Sequence, residues 1–399
     1  MSNKWIAPVV LLSLAACGPR VEKRSTAELE KILKTAVEQK LVPGVVAAVA
    51  IREGVVWEAA EGFSKDAIFA IASMTKPVTS VAVMQLVEQG KVKLDEPAST
   101  YVPELGKVQV LDNGKLRPPK SAVTVRQLLT HTSGFAYEFM NAPLMEFVKK
   151  GGAPSLMAGG DAFLKQPLMF DPGTAWEYGI SIDWLGRLVE RVSGQDLEQY
   201  FRRNIFEPLG MEDSFFNVPE AKQPRRAAAS QRMKDGSLVP QTRQPAKRDG
   251  FFSGGGGLSS TAADYMKFAR ALMAGGQLGQ ERILTAGSVA MMGQNQIAGL
   301  TIKPFTSLLP QLATDGAALP GGLDKFGLGF ALNSQKAGGR GVNTMAWAGI
   351  FNTFFWIDTE NQICAVLMSQ MSPGLDDGPR RLLEDFDRAV YTWRGQGVK

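Results

Sequence analysis

The chain has 399 residues, 45% of them apolar and 21% charged, with a net charge of +5. That balance is globular and allows one large domain or two intimate lobes with ample core. Two cysteines and one histidine are too few for a disulfide framework or a zinc site. HExxH, CxxC, GxxxxGK[ST] and GxGxxG are all absent, so metal, nucleotide or other cofactor chemistry has no support. No basic stripe interleaved with aromatics points to nucleic acid.

At the start, Lys4 precedes an apolar run from Trp5 to Ala16. The run is too short to span a bilayer and suits a secretion signal. It ends in Leu14-Ala15-Ala16-Cys17-Gly18, which resembles a bacterial lipobox. On that expectation residues 1–16 are a signal peptide, Cys17 is lipidated, and residues 17–25 are a polar tether. The protein would then be an exported lipoprotein, anchored to a membrane and facing the periplasm or cell surface. The alternative is an ordinary signal peptide with an incidental Cys17. Export would leave Cys364 as a lone thiol, and its apolar neighbours Ile363, Ala365 and Val366 predict burial.

Leu29, Ile32, Leu33, Ala36 and Val37 recur at helical spacing, which predicts a helix from residue 26 or 27 to about Lys40. Val45 to Arg52 and Val55 to Ala60 read as a hairpin turning at Glu53-Gly54. Ile68 to Ala72 is another short apolar run. After Ser73 the period becomes helical through Val78, Val81, Ala82, Met84, Leu86 and Val87, and Gly90 stops it. Further helices are expected at 124–130, 181–193, 196–206 and 261–274. The last opens with a capping-box pattern, Thr261-Ala-Ala-Asp264. Residues 220–250, with eight basic side chains, three acidic ones and three prolines, read as a solvated loop or loose hairpin. Strand patterns return at Gly327 to Asn333, Thr353 to Asp358 and Ile363 to Ser369, and a helix closes the chain from about 378 to 393. The expected fold is α+β, a single domain over 26–399. Its α/β lobe takes in about 26–75 and 325–399, with a helical lobe and loops at about 76–324.

No GxSxG is present, so a nucleophile elbow is not expected. The lone His131 lies in a polar turn, Leu129-Thr-His131-Thr-Ser-Gly134, and reads as structural. Ser73-Met-Thr-Lys76 is the single Ser-x-x-Lys. Its i, i+3 spacing puts hydroxyl and amine on one helix face. A serine at a helix start also offers its own N–H to developing negative charge. A lysine can take the serine proton if burial and neighbours make its neutral form accessible. The alternative is an N-capping serine followed by a surface lysine.

Ser73-Met-Thr-Lys76-Pro-Val-Thr-Ser and Leu94-Asp-Glu-Pro97 are followed by Thr124-Val-Arg-Gln-Leu-Leu-Thr-His131-Thr-Ser-Gly134. Next come Pro172-Gly-Thr-Ala-Trp176-Glu-Tyr178, Phe206-Glu-Pro-Leu-Gly-Met211 and Gly254-Gly-Gly-Gly-Leu-Ser-Ser-Thr261-Ala-Ala-Asp264. Phe326-Gly-Leu-Gly-Phe330 and the stretch from Met345 to Gln370 complete the series. In this order the motifs resemble the serine β-lactamase and penicillin-binding-protein-like superfamily. Within it they are most similar to the family VIII carboxylesterases, relatives of class C β-lactamases. The resemblance covers nearly everything after residue 26.

The resemblance implies a serine β-lactamase-like fold, with an antiparallel sheet and flanking helices built from both chain ends and a mostly helical lobe inserted between. It implies Ser73 as nucleophile and Lys76 with Tyr178 as proton handlers; which takes the first proton stays open. Tyr178 as a plain core residue is the alternative. The family's third motif falls on Trp347-Ala348-Gly349-Ile350. There Gly349 would let substrate approach the strand, and the backbone N–H groups of Ser73 and Ile350 would form an oxyanion hole. An interior strand tryptophan is the bland reading of Trp347. Two departures matter. Trp347 replaces the motif lysine that holds a β-lactam carboxylate, and Ile180 stands where β-lactamases carry a polar asparagine. Losing one charge-assisted contact costs about 1.5–3 kcal/mol, so an uncharged ester fits better than a charged antibiotic. Phe135, Tyr137, Phe251 and Phe351 could wall an apolar acyl pocket. The expected activity is hydrolysis of small, short-chain esters through an acyl-enzyme on Ser73. The rivals are a β-lactamase or D,D-peptidase, a transesterase using the same acyl-enzyme, and a silent surface binding protein.

Overall fold

The computed structural model describes residues 25–241, 250–316 and 322–395. Cys17 and the segment read as a signal peptide lie outside the described residues. Six helices position the site: α1 (Ala27–Glu38), α2 (Thr75–Glu88), α3 (Val125–Leu129), α4 (Ser181–Ser193), α5 (Ala262–Met273) and α6 (Asp377–Arg394). The main sheet has seven strands: β1 (Val45–Ile51), β2 (Gly54–Glu61), β3 (Leu323–Phe326), β4 (Ala331–Asn333), β5 (Met345–Gly349), β6 (Thr353–Asp358) and β7 (Ile363–Met368). They run in the order β3-β4-β5-β6-β7-β1-β2, antiparallel throughout. The N-terminal hairpin is joined to the C-terminal strands through β1 and β7, where Val46 pairs with Met368 and Ile51 with Ile363.

Both faces of this sheet are covered, so the adjoining strands β1 and β7 are apolar and buried at every position. Val45, Ala47 and Val49 pack under α1 and α6 with Leu29, Leu33, Leu383 and Phe386. Val46, Ala48 and Ala50 point into the opposite layer with Met266 of α5. That is the two-residue period of a strand read on both sides at once. Cys364 belongs to the second layer, buried with its Sγ 3.5 Å from Met266 Sδ, and burial pushes its thiol up to about 12.

Three local expectations shift. Ile51 pairs with Gly54, so the hairpin turns at Arg52-Glu53, one residue before the predicted position. Gly327 to Phe330 is not strand; it is the connection between β3 and β4. A Cβ on Gly327 would sit 1.9 Å from the Met292 carbonyl oxygen, so this run turns back closely against the end of the helix Ala286–Met292. The Thr261 hydroxyl caps α5 by accepting from the Asp264 N–H, but the Asp264 carboxylate turns away to the Asp213 N–H and Ser214 hydroxyl. A complete capping box forms instead at Thr124 and Gln127 of α3.

Helix α2 governs the site. Every residue from Thr75 to Leu86 is buried, Lys76 included. It packs along α4, and Ser73 just before its start opens on the cavity described below.

Candidate active site

Ser73 sits in a tight 3₁₀ turn, Ala72–Met74, that runs straight into α2. Ala72 is left-handed, with φ +42°. For a residue with a Cβ that costs about 1–2 kcal/mol, and strain of this kind persists only where the surroundings hold it. Here the Ile71 N–H donates to the Leu258 carbonyl (3.0 Å) and the Ala70 N–H to Gln370 Oε1 (2.7 Å). Strand β5 crosses directly over the turn. A Cβ on Gly349 would lie 2.3 Å from the Ile71 carbonyl oxygen and 2.3 Å from Thr353 Oγ1. The close approach that requires glycine there is therefore made by the chain's own backbone, where the sequence reading assigned it to substrate.

The Lys76 side chain is 1% exposed. Its Nζ donates to Ser73 Oγ (3.1 Å), Tyr137 Oη (3.0 Å) and the Gly255 carbonyl (2.6 Å). Three acceptors match the three N–H groups of an ammonium, the condition for burying one. The nitrogen also lies over the ring of Tyr178, 4.7 Å from its centroid. Two phenols thus flank the amine in different ways: Tyr137 through its oxygen, Tyr178 through its face. Among the described residues the buried Tyr178 hydroxyl meets no hydrogen-bond partner, while its side chain lines the cavity. Tyr137 was expected only as an aromatic wall. Burial pushes its phenol well above the usual range, and the neighbouring Tyr178 and Asp183 add to the shift.

His131 lies behind Tyr178, ring centroids 5.0 Å apart, and also contacts Trp176 and Phe326. Burial, with the Lys76 charge beside it, holds the imidazole well below its usual range and so neutral. It packs as a structural residue, in agreement with the sequence reading.

The cavity has a volume of about 730 Å³. Ser73, Tyr178, Trp347, Ala348, Gly349 and Ile350 line one side, with Tyr137, Phe251 and Phe351 also in its wall. Among the described lining residues Asp183 is the one charged side chain. Two expected pocket residues are not there. Phe135 is fully buried and stacked on Trp184, 6.1 Å between ring centroids. Ile180 is fully buried at the entry to α4, within the core that surrounds α2 and α4. Both are core residues because their segment packs its apolar side chains inward. Their places are taken by Phe139, Phe163, Phe305 and Leu312, on segments where the sequence shows no regular pattern.

The glycine run Gly254–Gly257 closes the site from the α4 side. A Cβ at Gly254 would meet the Ile182 carbonyl oxygen at 2.9 Å, one at Gly255 would meet Asp183 Oδ2 at 2.2 Å, and one at Gly257 would meet Phe216 at 2.4 Å. The run brings bare backbone against α4 and delivers the Gly255 carbonyl to Lys76.

The Beta-lactamase family profile matches residues 29–389. The chain belongs to the beta-lactamase family. Monacolin J acid methylbutanoyltransferase from Aspergillus terreus is 32% identical over 345 residues, 82% of this chain and 82% of that protein. Lovastatin esterase from Penicillium rubens is 30% identical over 358 residues, 83% of this chain and 88% of its own length. Among solved structures, unliganded simvastatin synthase (LovD) from Aspergillus terreus superposes with a TM-score of 0.79 at 27% identity, covering 92% of this chain and 98% of that one. The fold is the serine beta-lactamase-like fold, mixed helices on an antiparallel sheet, as the motif series implied. In this member of the beta-lactamase family the strand end at the site is aromatic, with Trp347 packed against Tyr178 at 5.1 Å between centroids.

Proposed function

We propose that this beta-lactamase-family enzyme transfers a short acyl group through an ester on Ser73, passing it to an alcohol in preference to water. Ser73 Oγ attacks the donor carbonyl while its proton passes to Lys76 Nζ, which acts as base in its neutral amine form, clustered beside Tyr137 and Tyr178. The N–H groups of Ser73 and Ile350, both residues of the cavity wall, stabilise the oxyanion. The bond to the leaving alcohol breaks as that oxygen takes a proton from the cluster. An acceptor alcohol then attacks the acyl-enzyme by the reverse steps, and water in its place gives hydrolysis.

The observation that carries this reading is the serine–lysine–tyrosine contact at the floor of a large, mostly apolar cavity. Its volume lies in the range that holds a drug-sized molecule, which leaves room for a bulky alcohol beside a short acyl chain. The methylbutanoyltransferase and esterase activities named for the relatives support the same chemistry. A β-lactam carboxylate is disfavoured, because among the described lining residues no Lys or Arg faces the cavity and Asp183 does. Trp347 in the third motif supports placement near the family VIII carboxylesterases. The proposal extends to location: export and lipidation at Cys17, checked by acyl labelling of the wild type against Cys17→Ala.

The test is p-nitrophenyl butyrate with and without a bulky alcohol, followed by mass spectrometry of the protein. Butyryl should be found on the peptide carrying Ser73, and the alcohol should yield a new butyrate ester. Ser73→Ala should lose both. Activity of that variant close to wild type would overturn the assignment.

A further inference from the structure

One carboxylate in the cavity wall has no part in the acyl-transfer scheme. Asp183, in the first turn of α4, is 2% exposed. Its Oδ1 accepts from the Ser253 hydroxyl (2.6 Å) and from the Gly255 N–H (3.0 Å). Its Oδ2 lies against Gly255, at the place a Cβ would need. The carbonyl of that same residue takes the Lys76 amine at 2.6 Å, the shortest of the three bonds the lysine makes. Neighbouring bonds fix the rest of the run to α2: Thr79 Oγ1 donates to the Gly254 carbonyl (2.7 Å), and the Leu258 N–H donates to Thr75 Oγ1 (3.0 Å).

We propose that Asp183 is a positioning residue for Lys76: it clasps Gly255 by its amide so that the carbonyl of Gly255 holds the lysine amine against Ser73. The glycine run has no side chains to anchor it, and the strand pairing nearby ends at Ser259–Ser260. Without the carboxylate, the Gly255 N–H and Ser253 hydroxyl would be buried donors lacking this acceptor, and the run would relax to find others. The anion also offsets the cost of burying the amine. Arg187, one turn along α4, is engaged with Asp161 and Glu190 and lies over Phe251. This inference rests on the reading of Ser73 and Lys76 as an acyl-transfer pair.

The experiment compares Asp183→Asn, Asp183→Ala and Ser253→Ala on p-nitrophenyl butyrate, with thermal melting as the control for folding. An amide oxygen still accepts from both donors, so Asp183→Asn should keep kcat within about tenfold of wild type, while Asp183→Ala should lose about 100-fold or more. KM should stay within about twofold in both, because the residue acts through Gly255 and not on substrate. Ser253→Ala should lower kcat about fivefold, with melting little changed. Equal losses for Asn and Ala, or a loss that falls in KM, would overturn the proposal. Should Asp183→Ala fail to fold, an unchanged kcat in Ser253→Ala overturns it. The parent reading fails separately: it falls if Ser73→Ala is active, whereas a dead Ser73→Ala with an active Asp183→Ala removes only the positioning role.

Discussion

Replacing Tyr137 with phenylalanine separates the two phenols. The ring is kept, with its contacts to Phe139 (5.2 Å) and Tyr178 (5.1 Å), so cavity shape is conserved. Only the oxygen that accepts from Lys76 at 3.0 Å is lost. The buried amine then has two acceptors in place of three. A hydrogen bond to a charged group is worth about 1.5–3 kcal/mol. If that bond orients the amine in the transition state, kcat/KM falls by about 10- to 150-fold, at about 1.4 kcal/mol per decade. KM for p-nitrophenyl butyrate should barely move, since the hydroxyl is spent on the lysine. Steady-state kinetics beside Tyr178→Phe gives the comparison, with circular dichroism to verify folding. Wild-type kcat/KM in Tyr137→Phe would refute this reasoning and return the whole phenol role to Tyr178.

Gly349→Ala should lower kcat/KM by at least about 100-fold, because a Cβ 2.3 Å from the Ile71 carbonyl oxygen must displace the Ser73 turn by a fraction of an ångström to an ångström; kinetics near wild type would show that the turn can give way freely. His131 makes stability depend on pH. Its folded-state pKa is held well below 6.5, so the unfolded chain binds the extra proton as pH falls. Stability is full above about pH 6.5 and declines below it, by at most about 1.4 kcal/mol per pH unit for one proton. Urea unfolding at pH 7.5 and 5.5 measures this, and His131→Asn, which tolerates the local φ of +57°, should flatten the slope. Equal slopes in the two proteins would remove His131 as the source.

The sequence made the architecture legible wherever one periodicity persisted. The helix at 181–193 is found where it was expected, because Leu185, Leu188 and Val189 repeat on one face. The return of strands after residue 323 gave the sheet its second half. The motif series found the Ser73–Lys76 contact because i, i+3 spacing at a helix start leaves little choice of geometry. It did not find the Tyr137 bond. An aromatic residue in Phe135-Ala-Tyr137 looks the same in sequence whether its hydroxyl meets a lysine or its ring fills a core. Phe135 and Tyr137, two residues apart, went opposite ways for that reason. Asp183 gave no signal either, since an acidic side chain in the first turn of a helix already complements the helix dipole. The glycine run was visible, but which glycine lends its carbonyl to Lys76 depends on the packing of α2 against α4. The helix Ala142–Lys149 went unanticipated, although Asn141 caps it and a proline stands in its first turn.

Ala70 and Gln370, 300 residues apart, share the hydrogen bond that steadies the turn before Ser73, and β1 has β7 as a neighbour from the far end of the chain. Closing so long a loop comes late in folding. A ribosome-bound chain would thus carry the serine and the lysine without the strand that completes their surroundings. The surroundings of the nucleophile are therefore complete only once the last strands dock. It also means that a C-terminal deletion reaching Gln370, remote as that residue is from the nucleophile in sequence, should abolish turnover.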